Sequence, residues 1–133
     1  MIKLFIGGKG SGKTKTLIEL VNNAVETSNG NVVCIEKGDK LIHDITYKAR
    51  LIDTDAYSVC DAVALYGFIA GILASNSDIT DIFVDSSLKI VGNDVEAYEK
   101  MLGKLEEITK DVNLVMTVSI ATEVCPDSIK AYT

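Results

Sequence analysis

A glycine-rich run near the start of the chain constrains the fold more than any other feature. It reads Gly-Gly-Lys-Gly-Ser-Gly-Lys-Thr over residues 7–14. Before it, residues 2–6 form a short apolar run, which is typical of a fully buried strand. After it, from Lys13, apolar side chains recur at helical spacing up to the Ser-Asn-Gly stop at residues 28–30. Because a second apolar run follows at residues 32–35, this order predicts a parallel strand-helix-strand unit.

The middle of the chain predicts a polar loop, a short strand and a long apolar helix. Residues 36–48 carry glycine and scattered charges, as loops do, and residues 50–52 predict a short edge strand. Ser58 is expected to cap the next helix, with Asp61 three residues on, and this helix continues to about Ser75. It is apolar on nearly every face, so we expect it to be buried or to lie at an interface.

The second half of the chain predicts another buried strand and another helix. Residues 79–84 form an apolar run that ends in Asp85, which places a carboxylate at the carboxyl end of a buried strand. Asn93 and Glu96 resemble a capping box and predict a helix that ends near Asp111. The apolar stripe of this helix consists of Val95, Tyr98, Leu102, Leu105 and Ile108.

The end of the chain completes the pattern. Residues 114–118 predict the last strong strand, and residues 128–132 predict a short helix after Pro126. Such alternation predicts an α/β fold, a three-layer αβα sandwich around a mostly parallel sheet of four to five strands. Since 133 residues is a typical domain size, we expect residues 1–133 to form a single domain.

Composition narrows the function classes. The net charge of −6 and the pI near 4.7 leave no broad basic face, so nucleic acid is not expected as a partner. Cys34, Cys60 and Cys125 form no C-x-x-C pair, which indicates reduced, mostly buried thiols. The apolar run over residues 62–74 is shorter than the ~20 residues of a membrane span. Met1 leads into the first strand without a targeting signal, so a cytoplasmic location is expected.

The glycine run has the composition of an anion-binding loop. It matches the pattern G-x-x-x-x-G-K-[ST], between a predicted strand and a predicted helix. Glycine lets the backbone wrap an anion with its N–H groups inward, and the helix N-terminus adds partial positive charge. The alternative is a glycine-rich turn with an incidental lysine. The residues expected to bind nucleotide phosphates are Gly8, Lys9, Gly10, Ser11, Gly12, Lys13, Thr14 and Lys15.

Two motifs together resemble the P-loop NTPase superfamily. The run GGKGSGKT is similar to its Walker A motif, and IFVD, which ends in Asp85, is similar to its Walker B strand. The resemblance implies a P-loop NTPase fold of the small RecA-like or additional-strand type. It also implies that Lys13 acts in catalysis on the β- and γ-phosphates, and that Thr14 and Asp85 hold Mg²⁺. The alternative for Asp85 is a cap of the turn or helix that follows the strand.

The base that activates water is absent from its most frequent position. In the additional-strand branch a glutamate often follows the Walker B acid, whereas this chain has Ser86 there. Some RecA-like members place the base at the end of the strand after the P-loop helix, and Glu36 matches that position. Glu36 is therefore the candidate catalytic base. The alternative is a solvated glutamate at a strand end, paired with a lysine.

Two further positions bear on catalysis. Residues 117–119 end the last strand and resemble the position that senses the γ-phosphate in this branch. Arg50 is the single arginine and so the only candidate for an arginine finger, the alternative being a surface charge. His43, the one histidine, is expected on the surface of a loop.

The nearly minimal core resembles small bacterial ATP-binding proteins of unknown role, some of which are labelled as twitching-motility ATPases. Those motors have an additional N-terminal domain and His and Asp boxes. This chain has one histidine, so the motor function is not carried over.

We expect a cytoplasmic, Mg²⁺-dependent ATP-binding protein with slow or partner-stimulated hydrolysis. One alternative is a non-hydrolysing nucleotide switch or assembly module, which Ser86 and the apolar helix favour. Another is a small-molecule kinase with an acceptor pocket in residues 36–55, lined by Asp39, Lys40 and Asp44. A single arginine disfavours the kinase, and the lack of an N-K-x-D motif disfavours GTP.

The expected partners are a nucleoside triphosphate, a protein of unknown identity and a second copy of the chain. Gly67 and Gly71 form a G-x-x-x-G step on the apolar helix, which would permit a close helix approach.

Overall fold

The computed structural model describes residues 1–133, and its centre is one five-stranded sheet. The strands are β1 (Ile2–Gly7), β2 (Asn31–Glu36), β3 (Arg50–Asp53), β4 (Ile79–Val84) and β5 (Asn113–Ser119). They lie in the order β1-β5-β4-β2-β3, and every neighbouring pair is parallel. The predicted α/β class and parallel sheet are therefore confirmed, and β3 is an edge strand as expected.

Helices follow the strands and cover both faces of the sheet. The α-helices are α1 (Lys13–Thr27), α2 (Ala62–Ser75), α3 (Ser87–Ile90), α4 (Val95–Ile108) and α5 (Asp127–Lys130). Two 3₁₀ turns occupy Thr54–Tyr57 and Thr122–Val124. No helix combines the length and the apolar character that crossing a membrane requires.

The side chains of β2 separate the two faces of the sheet. Val33 and Ile35 belong to a core that includes buried residues of α2, α4 and α5. Val32 and Cys34 pack in a second core together with Leu17 of α1. Because successive side chains of a strand point to opposite faces, α1 lies on one side and α2 and α4 lie on the other. Burial on both faces is what makes the strands read as continuous apolar runs.

Two predicted helix starts are wrong by one or more residues. Ser58 does not cap α2, because it adopts a left-handed conformation (φ 58°) and ends the preceding 3₁₀ turn. Asp61 is the N-cap, and its carboxylate accepts a hydrogen bond from the Ala64 amide at 2.8 Å. Likewise Asn93 is left-handed (φ 60°), and Asp94 caps α4 by accepting a hydrogen bond from the Ala97 amide at 3.1 Å. In both cases an aspartate nearer the first turn satisfies the free amides.

The last two helices also differ from expectation in length. Helix α4 ends at Ile108, before the predicted Asp111, because Thr109 has left the helical conformation (φ −117°, ψ 25°). The buried Thr109 hydroxyl donates to the Leu105 carbonyl at 2.8 Å. Its buried face includes Met101, which the predicted stripe omitted. Helix α5 spans four residues and ends at Lys130.

Helix α2 is half buried and half exposed. Leu65 and Ile69 are fully buried against the sheet, whereas Val63 is 81% exposed. A Cβ at Gly67 or Gly71 would meet nothing within 4 Å, so the G-x-x-x-G step contacts no other element of this chain.

Candidate functional site

The carboxyl edge of the sheet gathers the side chains that the sequence singles out. Strand β1 leads into residues 7–14, hereafter the glycine loop, and β4 ends immediately before Asp85. Strand β2 ends at Glu36, and β5 ends at Ser119. Since all strands are parallel, these four chain segments lie at one edge, which is where ligands bind in open α/β sheets.

The glycine loop uses its glycines for close approach and for left-handed backbone. A Cβ on Gly7 would stand 2.7 Å from the Ser11 hydroxyl oxygen. Gly10 and Gly12 have φ values of 83° and 86°, a left-handed conformation that residues with a Cβ rarely adopt. Gly12 is the N-cap of α1, and no side chain caps that helix, so its first-turn amides are available to a ligand.

Lys13 folds back over the glycine loop. Its ammonium donates to the Gly8 carbonyl at 2.9 Å and to the Ser11 hydroxyl at 3.2 Å. An anion seated in the loop would therefore lie within reach of both the helix amides and the ammonium group.

Thr14, Asp85 and Thr117 form a hydrogen-bonded chain across three elements. The Thr14 hydroxyl lies 3.1 Å and 3.3 Å from the two carboxylate oxygens of Asp85. From the other side, the buried Thr117 hydroxyl donates to Asp85 Oδ1 at 2.8 Å. Asp85 is 9% exposed, and these contacts hold its carboxylate beside the first turn of α1.

A second network fixes the chain just after Asp85. The Ser86 amide donates to the Thr117 hydroxyl at 2.7 Å, and Ser86 itself is left-handed (φ 54°). The Ser87 hydroxyl contacts the Tyr98 hydroxyl at 2.7 Å and the Thr117 carbonyl at 2.9 Å. Burial is the main cause that raises the pKa of Tyr98, and the hydrogen bond with Ser87 lowers this pKa in part. These contacts, and α3 itself, were not predicted.

Glu36 is buried, not solvated. It is 3% exposed, and both of its carboxylate oxygens accept from the Leu41 amide at 3.2–3.3 Å. Burial raises the pKa of Glu36; backbone hydrogen bonds from residues 40 and 41 lower it, and the charge of Asp85 raises it further. The neighbouring Lys37 pairs with Asp55 at 2.6 Å instead. The alternative of a solvated glutamate paired with a lysine is therefore wrong.

Two cavities open at this edge. The larger cavity, about 630 Å³, has no hydrophobic residue in its lining, and it is within the range of small-molecule sites. The smaller cavity, about 150 Å³, adjoins it and is lined by Thr14, Glu36 and Asp85 among others. The larger cavity is lined by Lys9, Gly10, Ser11, Gly12, Lys13, Thr14, Lys15, Lys40, Ser86, Lys89, Asn93 and Ser119.

The lining of the larger cavity includes most residues predicted to bind phosphate and several that were not predicted. Gly8 does not line it, although its carbonyl holds the Lys13 side chain. Lys40 and Lys89 line both cavities. Asp39 and Asp44, proposed with Lys40 for an acceptor pocket, line neither.

The oxygen atoms at the junction of the two cavities suit Mg²⁺. Thr14 and Asp85 offer a hydroxyl and a carboxylate side by side. No group of three or more His, Cys, Asp or Glu side chains is arranged to hold a metal ion. Mg²⁺ commonly takes one or two carboxylates together with phosphate oxygens and water, so this donor set fits a metal that arrives with a nucleotide.

Arg50 and His43, which the sequence singles out, lie away from the carboxyl edge of the sheet, and so does Asp81. Arg50 is the first residue of β3 and hence at the opposite edge of the sheet. His43 is exposed in the loop that follows β2. Asp81 accepts from Asn113 at 3.2 Å near the amino ends of β4 and β5.

All three cysteines are free, as expected. Cys34 and Cys125 are buried, and Cys60 is exposed. Burial, with added repulsion from Glu36 and Asp85, raises the pKa of Cys34 to about 12, so this thiol is not a nucleophile.

Neither a comparison of the chain with protein-family models nor one with curated proteins finds a match.

Proposed function

We propose that this chain is a Mg²⁺-dependent ATP-binding protein of the P-loop type that hydrolyses ATP slowly or when a partner stimulates it. The observation that carries the proposal is the contact between the Thr14 hydroxyl and the Asp85 carboxylate at 3.1 Å. These residues are 71 positions apart and come from the two motifs that resemble Walker A and Walker B. Any two segments that follow parallel strands share the carboxyl edge, but direct contact between their side chains also needs the two strands to lie close together, and here only β5 separates β1 from β4.

The triphosphate would lie in the larger cavity. The glycine loop and the first-turn amides of α1 would surround the phosphates, and the Lys13 ammonium would exchange the Gly8 carbonyl for phosphate oxygens. Five lysines line this cavity in a chain whose net charge is −6. The local positive charge thus opposes the overall charge, as expected for a site that attracts a polyanion.

Thr14 and Asp85 would hold Mg²⁺, with Thr117 fixing the orientation of the carboxylate. When bound with the nucleotide, the metal neutralises charge on the phosphate oxygens.

The strand order supports the additional-strand type. Strand β5 lies between β1, which leads into the glycine loop, and β4, which ends before Asp85. The resemblance to that branch implies this arrangement, since the branch is named for such a strand. It also places Thr117 and Ser119, at the end of β5, next to both motifs.

Glu36 would act as the base of hydrolysis. A water oxygen would bond to the γ-phosphorus while the bond from that phosphorus to the bridging oxygen breaks, giving ADP and orthophosphate. The water proton would pass to Glu36, whose raised pKa makes it a stronger base than an exposed glutamate. The Leu41 amide, which now donates to both carboxylate oxygens, weakens that basicity. Slow unaided turnover follows from this contact.

A non-hydrolysing switch is the second candidate. It is favoured because Ser86 replaces the frequent catalytic glutamate and because Glu36 is already engaged by a backbone amide. A kinase is less favoured, since the smaller cavity beside Glu36 is below the ~300 Å³ of ordinary small-molecule sites.

Titration calorimetry with ATP, ADP and GTP in the presence of Mg²⁺ tests the proposal, using wild type, Lys13→Ala and Lys110→Ala. Lys110 is an exposed lysine that lines neither the larger nor the smaller cavity, so its substitution is the control for the loss of one positive charge. We expect wild type and Lys110→Ala to bind ATP alike, and Lys13→Ala to bind it at least tenfold more weakly. Phosphate release is measured on the same samples. ATP binding with no release supports the switch, and no binding of any nucleotide refutes the proposal.

A further inference from the structure

Lys40 and Lys89 share an unusual position. Lys40 lies in the loop after β2, and Lys89 lies on α3, yet both line the larger and the smaller cavity. Neither ammonium group makes an ion pair: the three ion pairs of the chain use Lys37, Lys48 and Lys100. Two lysines without an ion-pair partner therefore lie where the larger cavity, proposed to hold the phosphates, adjoins the smaller cavity, which Glu36 lines.

We propose that Lys40 and Lys89 form a subsite for the terminal phosphate of a bound nucleoside triphosphate, so that this chain distinguishes triphosphates from diphosphates without help from a neighbour. The inference rests on the proposed nucleotide function and adds to it the residues that read the third phosphate.

The positions of the other lysines support the assignment of Lys40 and Lys89 to the terminal phosphate. Lys9, Lys13 and Lys15 belong to the glycine loop or to the start of α1, and none of them lines the smaller cavity. Of the five lysines that line the larger cavity, only Lys40 and Lys89 also line the smaller one. Lys37 lines the smaller cavity as well, but its ammonium group is paired with Asp55 at 2.6 Å. A phosphate that extends from the glycine loop towards Glu36 therefore lies beside these two lysines.

The smaller cavity also limits what can stand beyond that phosphate. Its volume of about 150 Å³ is below the ~300 Å³ of ordinary small-molecule sites but well above the ~10–15 Å³ that one water needs. The smaller cavity has room for water beside the terminal phosphate, whereas by itself it is small for an acceptor the size of a nucleoside. A cavity of this size favours hydrolysis over group transfer to a metabolite.

No arginine of the chain competes for this role. Arg50 begins β3 at the opposite edge of the sheet. An arginine finger would have to come from another molecule, whereas Lys40 and Lys89 supply two cations from within the chain. Turnover per chain is therefore expected to be independent of protein concentration.

The test compares dissociation constants for ATP and ADP, each with Mg²⁺, in wild type, Lys40→Gln, Lys89→Gln and the charge-retaining Lys40→Arg. Lys110→Gln is the control, and thermal unfolding of every variant checks that it folds. Loss of one charge-assisted contact predicts about tenfold weaker ATP binding, which is about 1.4 kcal/mol, with ADP binding changed less than about twofold. Lys40→Arg should keep most of the preference for ATP.

The outcomes separate this inference from the proposed function. If wild type binds ATP but the glutamine variants weaken ATP and ADP equally, or weaken neither, the subsite is refuted while nucleotide binding stands. If wild type binds no nucleotide, both are refuted. Inorganic phosphate serves as a further probe: lysine-dependent binding of free phosphate with an unchanged ATP to ADP ratio also overturns the assignment.

Discussion

The Thr117 hydroxyl donates to Asp85 Oδ1 at 2.8 Å and accepts from the Ser86 amide at 2.7 Å. One buried hydroxyl thus satisfies two groups at once: the carboxylate proposed to hold the metal and the backbone that turns away from it. Because Thr117 lies on β5 and Asp85 follows β4, the contact exists only when these two strands are neighbours in the sheet.

Thr117→Val tests this contact with almost no change of shape. The substitution leaves the Ser86 amide without its partner and removes one donor from Asp85, so we expect the free energy of unfolding to fall by about 1–3 kcal/mol. Urea denaturation measures it. Thr27→Val, at the exposed end of α1, is the control and should change stability by less than about 0.5 kcal/mol. Equal effects of the two substitutions would contradict the assignment.

Tyr98→Phe tests the anchoring of α3. It removes the 2.7 Å contact with the Ser87 hydroxyl, but that hydroxyl keeps the Thr117 carbonyl as acceptor. The expected loss is therefore only about 1 kcal/mol, measured by urea denaturation. Tyr47, which is 91% exposed, provides the control as Tyr47→Phe. A variant as stable as wild type would mean that the network does not hold α3.

Glu36→Gln should stabilise the protein in a pH-dependent manner. The folded-state pKa of Glu36 is raised above its ordinary value of 4.5, mainly by burial. Its contribution to stability is therefore fully present below pH 4.5 and is lost as pH rises through the raised pKa. Glutamine stays neutral and can still accept from the Leu41 amide.

The measurement for Glu36→Gln is the free energy of unfolding at several pH values from 4 to 8. The advantage of the variant over wild type should grow with pH and then level off, whereas phosphate release should fall if Glu36 is the base. Glu19→Gln, on the exposed side of α1, should show no such trend. A constant difference at all pH values would contradict the raised pKa.

Thiol reactivity tests the burial of the cysteines. Cys60 is exposed, whereas Cys34 and Cys125 are buried. In a stopped-flow assay with a disulfide reagent, one thiol should react rapidly in the native protein and all three should react after denaturation. Cys60→Ser should abolish the rapid phase. A rapid phase that survives this substitution would show that another thiol is open to solvent.

The sequence allowed the strand-loop-helix around Lys13 and the strand before Asp85 to be predicted because local patterns determine both. Apolar runs mark buried strands, and glycines mark a loop that a Cβ would obstruct. Which strands become neighbours is not a local property. The contacts of Ser86, Ser87 and Tyr98 depend on the position of β5 between β1 and β4, and the sequence pattern does not contain that order.

For the same reason, the sequence indicated Lys40 only as part of a kinase acceptor pocket and did not indicate Lys89. Lysines in a loop and on a short helix are usually solvated surface charges. Only the tertiary fold brings Lys40 and Lys89 to the same cavities. The misplaced caps have a different cause. Ser58 and Asp61 are both good cap residues, so the choice between them depends on the 3₁₀ turn that precedes α2.

The most direct test of the central claim is the Mg²⁺ dependence of ATP binding in wild type and Asp85→Asn, measured by titration calorimetry with and without the metal. Asp81→Asn is the control, because Asp81 lies near the amino end of β4, the strand after which Asp85 follows. The account predicts that Mg²⁺ tightens ATP binding by about tenfold or more in wild type and in Asp81→Asn, and that Asp85→Asn loses this gain. An equal gain from Mg²⁺ in all three proteins, or no ATP binding by wild type, would contradict it.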